Sequence, residues 1–176
     1  MLSPRLMFLP VTAAATAICA PAQAMVYLTV QQAQQQMFGQ AALTPVPLTM
    51  TPAQVAAVEK DSGVRVLSLS LSLWRAPGGW FLVDAVIGKH DLITYAVALD
   101  SEGKLRQLEI LEYRETYGGE VRNPRWRAQF TGKHHGDAVQ LGEDIQGISG
   151  ATLSCQHVTD GVRRLLATWA VAIRGS

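Results

Sequence analysis

The residues best placed to do chemistry lie in one short run, Asp144-Ile145-Gln146-Gly147-Ile148-Ser149-Gly150-Ala151-Thr152-Leu153-Ser154, which is dense in hydroxyls and small side chains. From Cys155 onward the apolar residues Cys155, Val158, Val162, Leu165, Leu166 and Trp169 recur at the spacing of one helical face, with His157, Asp160, Arg163 and Arg164 on the other. The run therefore ends at a helix N-terminus. Such an end carries free backbone N–H groups and a partial positive charge, and glycines beside it let an anion approach the main chain. A phosphate suits that environment, while the plainer reading of Ser-Gly-Ala-Thr is a capping turn.

A second run, Glu112-Tyr113-Arg114-Glu115-Thr116-Tyr117-Gly118-Gly119-Glu120-Val121-Arg122, follows the last predicted strand. Its paired glycines permit close backbone approach, either to a ligand or simply in a turn. Asn123-Pro124 then opens a short helix with Trp126 and Phe130 four residues apart on its buried side and Arg122, Arg125 and Arg127 around it. Arg122 or Arg125 could meet a phosphate; solvated charge or pairing with nearby glutamates is the other reading.

The Ser-Gly-Ala-Thr-Leu-Ser sequence before an amphipathic helix resembles the attachment motif of the FMN-binding domain family, found in the C subunit of the sodium-pumping NADH:quinone reductase and the G subunit of the Rnf complex. The resemblance runs from Thr29 to the last helix. It implies a flavoprotein whose FMN is joined by a phosphoester to Thr152, with Ser149, Gly150, Ala151 and Leu153 as neighbouring cofactor-binding residues. A flavin transferase would install the group from FAD. Gln146 stands where the family usually has an aspartate, with Asp144 two residues earlier. The second run is similar to the family's Glu-Thr/Ser-Pro-Gly-x-Gly loop beside the flavin. Glu115, Thr116 and Gly118 match, Tyr117 replaces the proline, and Glu120 stands at the second glycine. The resemblance thus adds Glu115, Thr116, Tyr117, Gly118 and Gly119 to the expected FMN contacts, with Tyr117 able to stack on the ring.

These runs need a scaffold. Thr29 with Gln32 and Thr51-Pro52 with Gln54 are capping-box patterns that open two helices, ended near Gly39 and at Gly63, with Pro45 and Pro47 in an extended connector between them. Leu67, Leu69, Leu71 and Leu73 alternate with serines as a strand does. Turns at 76–79, 88–91 and 100–103 then separate strands over 80–87, 92–99 and 105–113. The expected class is α+β: an antiparallel meander of about four or more strands, with helices on one side and at the ends.

The 176 residues, 48% of them hydrophobic, suit one domain with a real core. Residues 1–24 read as a signal peptide: Arg5, an apolar run from Leu6 to Ala20, and Ala22-Gln23-Ala24 as a cleavage site. The FMN-binding domain would then be 25–176 and its expected location the periplasm. The formal net charge of +1 gives no nucleic-acid footprint. Cys155 and the four histidines show no metal-ligand spacing, and Cys155 reads as a buried, inert thiol. No catalytic residues are assigned. The expected role is an electron carrier between membrane or periplasmic redox proteins rather than an enzyme with its own substrate. The alternatives are a ligand-binding or accessory module of the same fold, or a component of a small-molecule reductase.

Overall fold

A computed structural model describes residues 25–175; the expected signal peptide lies outside them. Six antiparallel strands form one sheet in the order β1-β6-β5-β4-β3-β2. They are β1 (Met25–Val26), β2 (Thr44–Thr49), β3 (Ser70–Ala76), β4 (Gly79–Ile87), β5 (Leu92–Asp100) and β6 (Leu105–Tyr113). The three turns foreseen between β3 and β6 are present, and β4 and β5 pair from Gly79↔Asp100 to Ile87↔Leu92.

Two strands exceed the sequence reading. The segment around Pro45 and Pro47 is an edge strand, β2, paired with β3 from Thr44↔Arg75 to Thr49↔Ser70. Proline lacks an N–H and suits a strand whose outer edge has no partner. Met25 and Val26 pair with Tyr113 and Glu112 at the opposite edge. β3 also starts three residues later than its leucine alternation suggests. Leu67 and Leu69 precede the β2–β3 pairing, which begins at Thr49↔Ser70, and are exposed, whereas Leu73 is buried.

Among the described residues the four α-helices are α1 (Val30–Phe38), α2 (Pro52–Ser62), α3 (Pro124–Arg127) and α4 (Thr152–Thr168), the last relaxing into a π-helical turn at Trp169–Ile173. The class is α+β as expected, and the helices cover both faces of the sheet. Strand residues alternate between faces. Leu82, Tyr95, Val97 and Leu99 pack in one cluster with Cys155, Val158, Val162, Leu165 and Leu166 of α4. Phe81, Ala96 and Ala98 pack with Ala33 and Met37 of α1 in another. At Gly161 α4 comes so close to the sheet that a Cβ would sit 2.4 Å from the Tyr95 hydroxyl.

That closeness changes one reading. Arg164, expected on the wet face of α4, is buried. Its guanidinium donates to Asp84 at 2.7 Å and to the carbonyls of Arg65 and Ala85, and Tyr95 donates to the same carboxylate at 3.0 Å. A buried charge persists only when paired and hydrogen-bonded in this way.

A candidate flavin cleft at the start of helix α4

Helices α1 and α2 both begin with complete capping boxes, Thr29 with Gln32 and Thr51 with Gln54. Helix α4 begins differently: Ala151 precedes it and no side chain caps it. The first backbone bond runs from Cys155 N to Ala151 O at 2.9 Å. The N–H groups of Thr152, Leu153 and Ser154 therefore precede the helical ladder, in the place where an anion is favoured. Thr152 is exposed there and Leu153 is half exposed, while Ser154 is buried.

Facing this end is the loop after β6, held by a hydroxyl chain. The Tyr113 hydroxyl donates to the Tyr117 carbonyl, which can only accept. Its single proton is thereby used, so the Ser154 hydroxyl, 2.8 Å away, donates to Tyr113. Gly118 lies beside this chain at φ +96°, where a Cβ would come within 2.4 Å of Ser154 Oγ and 2.6 Å of the Tyr113 hydroxyl. Burial raises the Tyr113 pKa, and the neighbouring acids Glu115 and Glu120 add to the rise against the lowering effect of Ser154.

Glu115 reaches the other way, to the turn between β4 and β5. Its carboxylate accepts from the backbone N–H groups of His90 and Asp91, the latter at 2.9 Å. Burial works to raise its pKa, but the N–H groups of Asp91, His90 and Lys89 outweigh it and hold the carboxyl below its ordinary value. The sequence alone counts Glu115 as a flavin contact; here its carboxylate serves a turn of the chain.

Between these pieces opens a cleft of about 400 Å³, lined by Lys89, His90, the segment 115–118 and the segment 150–154. Eight expected contacts meet on its walls: Glu115, Thr116, Tyr117, Gly118, Gly150, Ala151, Thr152 and Leu153. Ser149 and Gly119 do not line it. Ser149 is exposed on the approach to α4, and Gly119 starts a 3-10 turn over Gly119–Arg122.

Lys89 and His90 line the cleft without being among the contacts expected from the sequence, and so does Ser154 of the hydroxyl-rich run. Gly88-Lys89-His90-Asp91 reads locally as a turn, and only the tertiary contact with Glu115 brings it to the cleft. Arg122 and Arg125, considered for a phosphate, do not line the cleft. The Arg122 guanidinium stacks on Tyr27 at 3.5 Å, and Arg127 pairs with Glu109 and donates to the Leu108 carbonyl. Asp144 is likewise structural: it binds Lys133 and the N–H groups of Val139 and Gln140. Cys155 is fully buried and burial raises its pKa, the condition of an unreactive thiol. Among the described residues no group of three or more His, Cys, Asp and Glu side chains could hold a metal ion.

The cleft suits a flavin mononucleotide at both ends of that molecule. The uncapped helix start and Lys89 offer N–H donors and a cation for the phosphate. Tyr117, 84% exposed, and Leu153, 50% exposed, offer apolar surface for a flat ring. The volume lies within the roughly 300–1,000 Å³ common to small-molecule sites.

Comparison with known proteins agrees. The chain is 29% identical over 146 residues to the C subunit of the Na(+)-translocating NADH-quinone reductase of Yersinia pestis, covering 69% of this chain and 51% of that protein. It thus spans about half the length of that relative. The family model of the FMN-binding domain matches residues 88–167, a span that contains every lining residue of the cleft. That match marks residues 88–167, the segment that encloses the cleft, as similar to the FMN-binding domain.

Proposed function

We propose that this protein is a periplasmic FMN-carrying electron-transfer protein, with the flavin held by a phosphoester on Thr152. One observation carries the reading: Thr152 presents an exposed hydroxyl on the cleft wall, at the first turn of a helix with no side-chain cap. The neighbouring hydroxyls are less suited. Ser154 is buried and its proton is committed to Tyr113, and Ser149 lies off the cleft lining.

Attachment from FAD balances as a group transfer without electron change. A bond forms between Thr152 Oγ and phosphorus, the pyrophosphate bond of FAD breaks, and AMP leaves with the threonine proton taken up by solvent or base. A flavin transferase supplies the catalysis. Once bound, FMN supplies one- and two-electron chemistry that no side chain of this chain provides. The chain's own part is to hold the phosphate with the α4 N–H groups and Lys89, and to present Tyr117 and Leu153 to the ring.

Partner access supports a carrier. Tyr117 and Leu153 are exposed on the cleft lining, and Ile87 and Leu92, paired at the base of the β4–β5 turn that carries Lys89 and His90, are exposed as well. Exposed apolar surface of this kind marks interaction sites. The relative's name, which makes it part of an NADH-quinone reductase, supports a membrane redox protein as one partner. For location, the support is the signal-like segment 1–24, with Ala22-Gln23-Ala24 directly before Met25 of β1.

The test is to co-express the full chain with a flavin transferase, recover exported protein and measure its intact mass and its flavin fluorescence after denaturation. The expected species begins at Met25 and carries one FMN less one water. Thr152→Ala should be folded, within about 1 kcal/mol of wild type, and free of flavin; Thr152→Ser should keep some modification. Tryptic peptide 134–163 holds all three hydroxyls, so the variants assign the site. An increment persisting in Thr152→Ala moves the site to Ser149 or Ser154. A folded wild type without flavin favours an accessory module, and a species retaining Met1 overturns export.

A further inference from the structure

We propose that Glu115 is a positioning residue for Lys89: its carboxylate fastens the β4–β5 turn to the cleft, so that the Lys89 ammonium is held ready for the phosphate of an incoming flavin nucleotide. This rests on the function proposed above, because the anion is that nucleotide's phosphate.

The turn Gly88–Asp91 is tied within itself by one bond, Gly88 N to Asp91 O at 2.8 Å. The N–H groups of His90 and Asp91 point instead at one oxygen of Glu115, twenty-five and twenty-four residues away. Such successive backbone N–H groups form a small anion-binding nest, and a carboxylate of the chain fills it. The fit is close on the other side as well: a Cβ at Gly88 would lie 2.6 Å from Glu115 Oε1 and 3.0 Å from its Cγ. Glu115 thus lies against a residue with no side chain, and both contacts fix the turn relative to the loop after β6.

The charge arrangement says what this achieves. A bare carboxylate in the cleft would repel a phosphate. Glu115 shares its charge with backbone N–H groups, while Lys89 and His90 stand on the same cleft wall. Among the described residues no ion pair engages Lys89. An ammonium on a flexible stem is a point charge whose usefulness depends on where its backbone is held. Without Glu115 the turn keeps its sequence but loses its anchor to the cleft.

The experiment uses the exported apo protein. In wild type, hydrogen exchange should show the amides of His90 and Asp91 protected, and Glu115→Ala should speed their exchange at least about tenfold, as loss of a charge-assisted bond does. Fluorescence titration then compares FMN with riboflavin, which lacks the phosphate. Lys89→Met and Glu115→Ala should each weaken FMN about tenfold and leave riboflavin unchanged, and the double variant should be no weaker than Lys89→Met alone. Glu115→Gln, which keeps an acceptor oxygen, should fall between wild type and Glu115→Ala and serves if the alanine variant does not fold. Additive losses, or equal losses for FMN and riboflavin, would mean that Glu115 does not act through Lys89. FMN binding by wild type with no change in Glu115→Ala and Glu115→Gln overturns the positioning role and leaves the flavin reading intact. Failure of wild type to bind either flavin overturns both.

Discussion

The two adjacent glycines of the loop after β6 make opposite predictions when replaced by alanine. At Gly118 the new Cβ would stand 2.4 Å from Ser154 Oγ and 2.6 Å from the Tyr113 hydroxyl, on a backbone already at φ +96°. The left-handed backbone costs an L side chain roughly 1–2 kcal/mol. Separating Tyr113 from Ser154 or from the Tyr117 carbonyl leaves a buried polar group short of a partner, at about 1–3 kcal/mol. The expected loss is about 3 kcal/mol, or close to 10 °C in Tm for a domain of this size. At Gly119 the nearest atom to a Cβ is the Tyr27 hydroxyl at 3.8 Å, so Gly119→Ala should change stability by less than about 0.5 kcal/mol. Urea unfolding of both variants, followed by tryptophan fluorescence, is the assay. Ser154→Ala in the Gly118→Ala background should recover part of the loss, because it removes the nearest obstructing atom. Equal effects at the two glycines, or a Gly118→Ala loss below about 0.5 kcal/mol, would refute the hydroxyl chain as the tie between loop and helix.

Arg164→Met should cost about 3–5 kcal/mol in urea unfolding, because it strands Asp84 beside the sheet and leaves the Arg65 and Ala85 carbonyls without this donor. Asp144 should make the 133–145 loop acid-sensitive. Burial works to raise its pKa, but Lys133 and the N–H groups of Gln140 and Val139 outweigh it and hold it below the ordinary value. A depressed carboxyl contributes fully above its unfolded pKa of about 3.9, and the contribution is lost as pH falls through the lower folded value. Comparing urea midpoints at pH 7 and in acid, Asp144→Asn should lower stability at pH 7 and flatten the fall that wild type shows.

The parts of the fold readable in sequence were those governed by local chemistry. Thr29 with Gln32, and Thr51 with Gln54, satisfy backbone groups within one turn of helix, so their pattern reports a local structure directly. The same holds for β6, bounded by turn residues, and for the buried face of α4. Partner-dependent features were not readable in this way. β2 is a strand because β3 lies beside it, not because Pro45 and Pro47 favour one. Arg164 sits at a helical position that looks polar, and its burial depends on Asp84 and Tyr95 from two strands. At the cleft, Thr152 and Gly118 were found through motifs, whereas Lys89 carries no signal until the Glu115 carboxylate is seen to hold its turn.

The position where the family usually has aspartate shows how a motif can change while its backbone setting is kept. The Gln146 carbonyl accepts from the Trp126 indole at 2.8 Å and from Gln129 at 3.3 Å, and its N–H donates to Gln129 at 2.8 Å. Trp126 is in turn buried edge-on against Phe130, with ring centroids 5.1 Å apart. These bonds use main-chain atoms of residue 146, so they do not require an aspartate, and Gln146 itself is exposed. Asp144 does not stand in for the missing acid, since its carboxylate closes the 139–144 loop. The backbone leading into Ser149 and Thr152 is thus anchored to α3 whichever side chain stands at 146. Under the attachment proposed at Thr152, the exchange alters the surface offered to the transferase, a neutral amide in place of a carboxylate. On that proposal its consequence lies in the rate of modification, while the cleft formed by α4, the β4–β5 turn and the Glu115–Gly118 loop stays as it is.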